Sequence, residues 1–217
     1  MKKYELTDDS ITFMGHKLFR IRAIRSFSGV NVGDLGGYIE KEANLSHDDN
    51  AWVSGDAYIS DDARIYDDAR ISGNARIYGN ACIYDAARIS GYTYIYNDAR
   101  ISDNACISDC ACIYDNVSIS GDAYISGCAY ISGYARICGD AWIHSETDYL
   151  CFKGLGSQNR NTTFFKCKDG HIHVSCGCFS GSIQEFETKV KKTHGDSKYA
   201  KEYLACIGIV KLHFEKE

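Results

Sequence analysis

The sequence predicts a mainly β protein, a parallel β-helix of about six coils with an N-terminal β cap and a small C-terminal α+β unit. Three observations predict this fold. Residues 51–146 form sixteen uninterrupted six-residue repeats. In nearly every repeat the first residue is Ala and the third is Ile. Gly, Asp or Asn fills the fifth and sixth positions of most repeats, and these residues tolerate left-handed turns.

The spacing of Ala and Ile explains how one repeat folds. The repeats read AWVSGD, AYISDD, ARIYDD and so on to AWIHSE, and the exceptions at these two positions are Val53, Thr93 and Val117. Side chains of a strand alternate between its faces, so the first and third positions point the same way, and we expect both inside. Three short strands and three corners then close one coil. Residue i lies above residue i+18 at a spacing of about 4.8 Å.

The pattern extends upstream of the sixteen repeats. Ile39 and Leu45 are in phase with it, and a two-residue insertion around 47–49 separates them from Val53. The β-helix is therefore expected to begin near Gly36 and to rise about 29 Å in all.

Both ends of a solenoid expose strand edges, which need caps. Residues 3–27 predict two or three strands, with a hairpin about Met14-Gly15, and the C-terminal segment predicts a hairpin that turns at Asp169-Gly170. Ser182 and Glu185 then form a capping box for a helix that stops at Gly195, and a last helix spans 198–214. The predicted domains are an N-terminal β-hairpin cap (1–35), the β-helix (36–147) and an α+β domain of a hairpin plus two helices (148–217).

The hexads resemble the hexapeptide-repeat family, whose members fold as left-handed parallel β-helices and commonly trimerise side by side. This resemblance covers about 44% of the chain and implies the left-handed sense and a homo-oligomer, a trimer or a dimer. The segments VGDLGGYIEKEANLS and FFKCKDGHIHVSCGCFSGSIQEFETKVKKTHGDSKYAKEYL resemble uncharacterised hexapeptide-repeat proteins of phages and prophages. Such proteins often bind host proteins or sequester small molecules.

Charge and hydropathy narrow the classes of partner. Residues 51–146 contain six Arg, no Lys and thirteen acidic residues, a net charge of −7, so we do not expect DNA binding. No apolar stretch is long enough for a membrane span. MKKYELTDDS lacks the apolar core of a secretory signal, so we expect a cytoplasmic protein, in the host cytosol if it is phage-encoded.

The outward side chains sort onto three faces of the β-helix. Each face collects the second-position residues of every third repeat, and the fourth-position residues lie beside them. The first face carries Trp52, Arg70, Arg88, Cys106, Tyr124 and Trp142. The second carries Tyr58, Arg76, Tyr94, Cys112 and Tyr130, with Tyr78, Tyr96 and Tyr114 beside them. The third carries Arg64, Cys82, Arg100, Ser118 and Arg136.

Three places are candidate binding surfaces. On the first face Arg70 and Arg88 lie between aromatic residues, which suits the phosphate and base of a nucleotide. The second face is rich in tyrosine, which favours a protein interface, with self-association expected. Tyrosine ladders also stabilise exposed sheets, so a purely structural role stays open. The third place is the C-terminal unit, where Lys191, Lys192 and His194 lie near a helix end.

The cysteines are expected to be thiols. Cys110 and Cys128 are 18 residues apart at one corner and should be stacked neighbours, close enough for a disulfide that a reducing cytosol would not favour. Cys176 and Cys178, with the nearby His171 and His173, could form a metal site. An alternating strand over HIHVSCGCF explains the same residues, so we assign no metal and no cofactor.

Catalysis is the alternative that the family resemblance raises. Many hexapeptide-repeat relatives are acyltransferases that use coenzyme A or acyl-carrier protein, with a histidine base near a cleft between subunits. The repeats here carry a single histidine, His144, and His47 lies in the upstream insertion, so these two are the candidate bases. The repeats also lack an extruded loop. The gamma carbonic anhydrases need three histidines, which one histidine cannot supply.

We therefore expect a non-catalytic binding or scaffold protein, encoded by a phage or prophage. Its target would be a host protein, for example one of anti-phage defence, or a nucleotide signal. The alternatives are an acyl- or acetyltransferase of the hexapeptide-repeat family and a structural protein.

Overall fold

The computed structural model describes residues 1–215 and confirms a mainly β protein built around a β-solenoid of about six turns. Its strands before and within the solenoid are β1 (Tyr4–Phe13), β2 (His16–Ala23), β3 (Leu35–Ile39), β4 (Trp52–Val53), β5 (Tyr58–Ile59), β6 (Arg64–Ile65), β7 (Arg70–Ile71), β8 (Arg76–Ile77), β9 (Cys82–Ile83), β10 (Arg88–Ile89), β11 (Tyr94–Ile95), β12 (Arg100–Ile101), β13 (Cys106–Ile107), β14 (Cys112–Ile113), β15 (Ser118–Ile119), β16 (Tyr124–Ile125), β17 (Tyr130–Ile131), β18 (Arg136–Ile137) and β19 (Trp142–Ile143). The C-terminal elements are β20 (Tyr149–Leu155), β21 (Arg160–Lys166), β22 (Ile172–Cys176), β23 (Phe179–Ser182), α1 (Ile183–His194) and α2 (Lys198–Phe214). Short 3₁₀ turns occupy Glu42–Asn44 and Glu146–Asp148.

The solenoid strands stack in parallel with a step of 18 residues, as predicted. Arg88, for example, pairs with Arg70 below it and Cys106 above it. At the start of the solenoid the step is 20 residues, because Ile39 pairs with Ile59. This longer step confirms the two-residue insertion.

The interior of the solenoid consists of the first- and third-position side chains. The Ile residues of the repeats are 0–1% exposed, and the Ala residues are fully buried. Stacking then places Ile on Ile along three columns, which keeps apolar surface out of water at every step.

The corners depend on the fifth position of the repeat. In residues 51–146 every backbone with positive φ lies there, from Gly55 to Gly139, so the prediction holds for the fifth position and not for the sixth. Where the residue is Asp, its carboxylate accepts the amide of the next corner above. Asp103, for example, accepts from Gly121 N at 2.8 Å. The corner aspartates are therefore engaged in the fold.

The N-terminal hairpin extends one sheet of the solenoid. β1 and β2 turn at Met14-Gly15, as predicted, and β2 pairs antiparallel with β3, whose other edge pairs with β5. The rings of Tyr4 and Phe27 pack on Trp52, at 6.4 and 5.5 Å between centroids. The hairpin and the loop that follows it thus cover the first coil.

The C-terminal unit covers the last coil with side-chain acceptors. In the coils before the last one, the amides of the second and fourth repeat positions donate to carbonyls of the next coil, and the last coil has no such coil above it. Thr163 Oγ1 accepts from Arg136 N at 3.0 Å, and the hydroxyl of Tyr149 accepts from Ser132 N at 3.3 Å. These contacts satisfy groups that would otherwise be left unpaired at a strand edge.

The C-terminal unit is a four-stranded antiparallel sheet, in the order β20-β21-β22-β23, with α1 and α2 packed on it. The predicted capping box, in which Ser182 accepts from Glu185 N, and the bounds of α2 are confirmed. β20 and β23 were not predicted. The single strand expected over HIHVSCGCF is wrong, because a turn at Gly177 (φ 59°) divides it into β22 and β23. In the described part of the chain, no helix has the length and apolar character to cross a lipid bilayer.

Replacement of Thr93 by Val should stabilise the protein. Thr93 takes an Ala position and is fully buried, and its hydroxyl has no hydrogen-bond partner among residues 1–215. An unpaired buried hydroxyl costs about 1–3 kcal/mol, and Val keeps the shape without it. We expect the free energy of unfolding in urea to rise by about 1 kcal/mol. Thr93→Ala, which also leaves a small void, should gain less; a loss of stability in Thr93→Val would contradict the assignment.

Asp148 should make stability depend on acid pH. Its carboxylate accepts from His144 N at 2.9 Å, Ser145 N at 3.0 Å and Lys166 Nζ at 2.6 Å. Burial raises its pKa, but the Lys166 ammonium and the two amides outweigh burial and leave the pKa below its ordinary value. The stabilisation is therefore complete above the unfolded pKa and is lost as pH falls through the folded one.

We expect Asp148→Asn to lower the free energy of unfolding by about 1–3 kcal/mol at pH 7. This difference from the unsubstituted protein should shrink as the pH falls below about 4, where the carboxylate becomes protonated. Urea unfolding at several pH values measures it, with the exposed neighbour Glu146→Gln as the control. A difference that is constant with pH would show that the carboxylate charge does not matter.

Candidate functional site

A cleft of about 820 Å³ lies between the third face of the solenoid and the C-terminal unit. β21 crosses the end of the last coil through the contact between Arg136 and Thr163, and this placement brings two turns over the third face. One turn joins β20 to β21, and the other joins β22 to β23. The lining residues are Asp98, Arg100, Asn116, Val117, Ser118, Tyr134, Arg136, Gln158, Asn159, Arg160, Asn161, Gly177 and Cys178. We call this cavity the arginine cleft.

Three guanidinium groups line the arginine cleft. Arg100 and Arg136 lie in one column of the third face, with Ser118 between them. Two coil steps separate their backbones by about 9.6 Å, and the small serine leaves room between the two long side chains. Arg160 enters from β21. Arg136 Nη1 donates to Gly177 O at 3.2 Å, which fixes one guanidinium against the turn.

The charges of the lining favour an anion. Three arginines face one carboxylate, that of Asp98, so the net charge of the lining is +2. The remaining polar groups are amides and hydroxyls, which can donate hydrogen bonds to phosphate oxygens. A cavity of this size and polarity can hold a small molecule.

An apolar cavity of about 420 Å³ adjoins the arginine cleft and shares Arg160 and Cys178 with it. Phe179, Tyr203 and His194 contribute aromatic surface. The His194 ring stacks on Tyr203 at 5.8 Å between centroids. Burial raises the pKa of Tyr203 to about 12, so its hydroxyl stays protonated and donates to the backbone. Charged and aromatic surfaces are thus adjacent here.

The first face has fewer exposed candidate binding residues than the sequence predicts. Trp52 is only 5% exposed because the N-terminal cap covers it, so its predicted place at an open binding surface is wrong. Arg70 donates to Ser28 O at 2.8 Å. At the other end, the rings of Tyr124 and Trp142 stack at 4.7 Å between centroids. Arg88, between the two ends, is exposed.

The second face carries the tyrosine ladder. Tyr78, Tyr96 and Tyr114 stack at 4.9 and 5.1 Å between successive centroids, with interplanar angles of 2° and 7°. Phe13 of the N-terminal hairpin packs on Tyr78 and covers the lower end. The upper end stays open, and Tyr130 there is 46% exposed. An interface on this face would centre on the upper coils.

The three candidate binding residues predicted in the C-terminal unit do not share one site. Lys191 forms an ion pair with Glu187 one helical turn away, at 2.6 Å, and Lys192 is exposed. Only His194 of the predicted three lines the apolar cavity beside the arginine cleft. Lys191 and Lys211 together hold the pKa of Glu187 down, at about 2. This carboxylate joins the two helices.

The two candidate histidine bases lie at opposite ends of the solenoid. His47 lies in the insertion at the start of the solenoid and packs against the N-terminal cap, where its ring stacks on Tyr4 at 4.2 Å and its Nδ1 accepts from Lys3 N at 3.3 Å. Burial lowers its pKa, which favours the neutral ring. His144 is exposed on the last coil, and its Nδ1 contacts the hydroxyl of Ser126. The structure does not bring these two rings together.

The predicted cysteine pairs also differ from each other. Cys110 and Cys128 stack at one corner through a bond from Cys110 N to Gly127 O, and both carry free thiols. Cys176 is buried, where its thiol contacts the hydroxyls of Thr162 and Tyr203, and Cys178 is exposed across the turn. The Cys176 thiol is therefore engaged in the core of the C-terminal unit.

Sequence analysis missed the arginine cleft. Arg100 and Arg136 share a column on the third face, which the 18-residue step shows. Arg160 is the only arginine after residue 146, and this isolated position could have marked it as a candidate binding residue. The distance from Arg160 to the third face depends on how the C-terminal unit docks onto the solenoid. The sequence pattern does not predict this docking.

The solenoid defines the class of the chain as a protein built on a β-solenoid repeat. A family model described as the YdcK beta solenoid repeat matches residues 63–76, 69–85 and 75–91 in overlapping copies. These matches lie within the solenoid and support its repeat type. No curated protein sequence matches the chain.

The tyrosine ladder allows a test of whether the chain self-associates through the second face. If the second face is a homo-oligomer interface, Tyr130→Glu should shift the protein to the monomer, because a buried unpaired carboxylate costs several kcal/mol. Light scattering after size exclusion measures the mass. Tyr92→Glu is the matched control, since Tyr92 is 63% exposed at a corner. A monomeric unsubstituted protein would refute the interface.

Proposed function

We propose that this protein is a non-catalytic binding protein that captures a phosphate-bearing, nucleotide-like small molecule in the arginine cleft. The observation that carries the proposal is the convergence of Arg100, Arg136 and Arg160 on a cavity that adjoins an aromatic one. One guanidinium group can donate two parallel hydrogen bonds to a phosphate, and aromatic rings stack on bases. A nucleotide carries both groups.

Two arginine side chains of the cleft are already held in place without a ligand, which supports the proposed ligand capture. Arg136 is held by Gly177 O, and the side chain of Arg160 packs over the same glycine, where an added Cβ would clash with Arg160 Nη1. Side chains fixed before binding lose less entropy when the ligand arrives. A rigid solenoid on one side and a packed sheet on the other suit such a site.

The biological setting belongs to the same proposal. We place the protein among cytoplasmic accessory proteins of phages or prophages, which the resemblance of its end segments supports. In that setting the ligand would be a nucleotide signal of the host, and the protein would lower its free concentration. Binding to a host defence protein is the competing form of this function, and the outward faces would serve it.

Thermal unfolding with a panel of ligands tests the proposal. The panel is inorganic phosphate, pyrophosphate, linear and cyclic nucleotides, and acetyl-CoA. A nucleotide that binds the folded protein raises its Tm. Loss of a hydrogen-bonded charge costs about 1.5–3 kcal/mol, so Arg100→Gln and Arg160→Gln should each weaken binding about 10- to 100-fold.

Two control variants locate the ligand. Arg64→Gln changes an exposed arginine of the same column, two coils below Arg100 and outside the cleft, and should leave affinity unchanged. Arg88→Gln tests the first face in the same way. Stabilisation that survives both cleft variants and fails in Arg88→Gln would move the site to the first face. A panel without any stabilising nucleotide would refute capture of this ligand class.

The same panel examines the acyltransferase alternative. Stabilisation by acetyl-CoA, with turnover that His144→Ala or His47→Ala abolishes, would establish that chemistry instead. The two substitutions must be made separately because the histidines lie at opposite ends of the solenoid.

A further inference from the structure

One cysteine and two histidines, residue types that bind metals, meet at the turn between β21 and β22. Potential ligand atoms of Cys167, His171 and His173 all lie within 4.8 Å of one another. Tetrahedral zinc, with bonds of about 2.0–2.3 Å, places its ligand atoms about 3.3–3.6 Å apart, so small side-chain movements bring all three onto one ion. We propose that this turn binds zinc through Cys167 Sγ and one ring nitrogen of each histidine.

The backbone presents the three residues on one side. Cys167 N donates to His171 O at 3.0 Å and Gly170 N donates to Cys167 O at 2.9 Å, which closes the turn. His171 and His173 are two residues apart next to and within a strand, so their side chains share one face. The set of one thiolate and two imidazoles suits zinc better than a hard cation such as magnesium.

The second nitrogen of each histidine already has a partner. Nδ1 of His171 contacts the Asp169 carboxylate, which leaves Nε2 for a metal. Nε2 of His173 is 2.8 Å from Ser180 Oγ, which leaves Nδ1. Metal-bound histidines usually have such a partner, often a carboxylate, which fixes the tautomer and the orientation of the ring. The Phe165 ring also stacks on His173, at 5.1 Å between centroids.

The position of the site indicates its role. Cys167 forms an antiparallel bridge with Ala141 of the last coil, and Lys168 N donates to Asp140 O at 3.0 Å. A zinc ion here would fasten the turn that docks the C-terminal unit onto the solenoid. Three protein ligands leave a fourth tetrahedral position that is open to a water molecule.

A second group of potential ligands gives a matched control. His16, Glu40 and Asp61 also lie within 4.8 Å of one another. Their atoms are already paired, because His16 contacts Glu40 at 3.1 Å and Asp61 at 3.3 Å, and Glu40 Oε2 accepts from Asp61 N at 2.6 Å. Zinc there would have to replace these bonds.

Zinc binding to the full chain, stripped with a chelator and then titrated with Zn²⁺ alone, tests the proposal. We expect one zinc per chain and a rise in Tm. His171→Asn changes an exposed residue and should weaken binding at least 100-fold, with the Tm of the metal-free protein unchanged. Asp169→Asn should weaken binding about 10- to 100-fold through the orientation of His171. Co²⁺ should give a thiolate charge-transfer band that Cys167→Ala removes.

The control variants decide the location. His16→Asn and Cys178→Ser should keep the full stoichiometry and affinity for zinc. A chain that takes up no zinc overturns the proposal, as does binding that His171→Asn leaves unchanged. Loss of zinc in His16→Asn would place the ion at the N-terminal hairpin instead.

Discussion

The stacking of each residue on the residue 18 positions later is the constraint on which the rest of this structure depends. A backbone amide binds a carbonyl of the next coil, as Arg88 N does with Ala105 O at 2.8 Å, and the Ile columns stay buried only in this register. The corners from residue 55 to residue 139 share one geometry that keeps this register, because each turns through one residue of positive φ at the fifth position. An outward side chain therefore lies above its counterpart in the coil below. Columns such as Arg100, Ser118 and Arg136 follow from this step.

A stack of this kind leaves the backbone amides of its last coil without carbonyl partners. The C-terminal unit that supplies acceptors for them also forms one wall of the candidate site. The unpaired amides at the C-terminal end need acceptors, and Thr163 and Tyr149 supply them from the sheet that follows. Docking of that sheet carries Arg160 to the third face. The cap and the arginine cleft thus share one set of contacts, so a change in the docking of the C-terminal unit would also change the cleft.

The sequence predicts the parts that repeat and the parts that local rules define. The six-residue period predicts the solenoid, and the phase of Ile39 predicts the two-residue insertion. The pair of Ser182 and Glu185 predicts the start of α1. The sequence does not predict contacts between distant elements. Trp52 occupies the same repeat position as Trp142, yet one is covered by the cap and the other is 36% exposed. Nothing local distinguishes the two, because the difference comes from tertiary packing.

The charge of the solenoid bears on what the arginine cleft can hold. Residues 51–146 carry a net charge of −7, so the long-range field disfavours an extended polyanion such as DNA. At physiological ionic strength, screening confines the repulsion between exposed charges to about 8 Å. A small phosphate-bearing ligand inside the cleft would lie closer to Arg100, Arg136 and Arg160 than to most corner aspartates. Several of those aspartates also direct a carboxylate oxygen at a backbone amide of the next coil. Affinity for such a ligand would therefore come from short contacts with the guanidinium groups, and a long polyphosphate chain would gain little from leaving the cleft along the face.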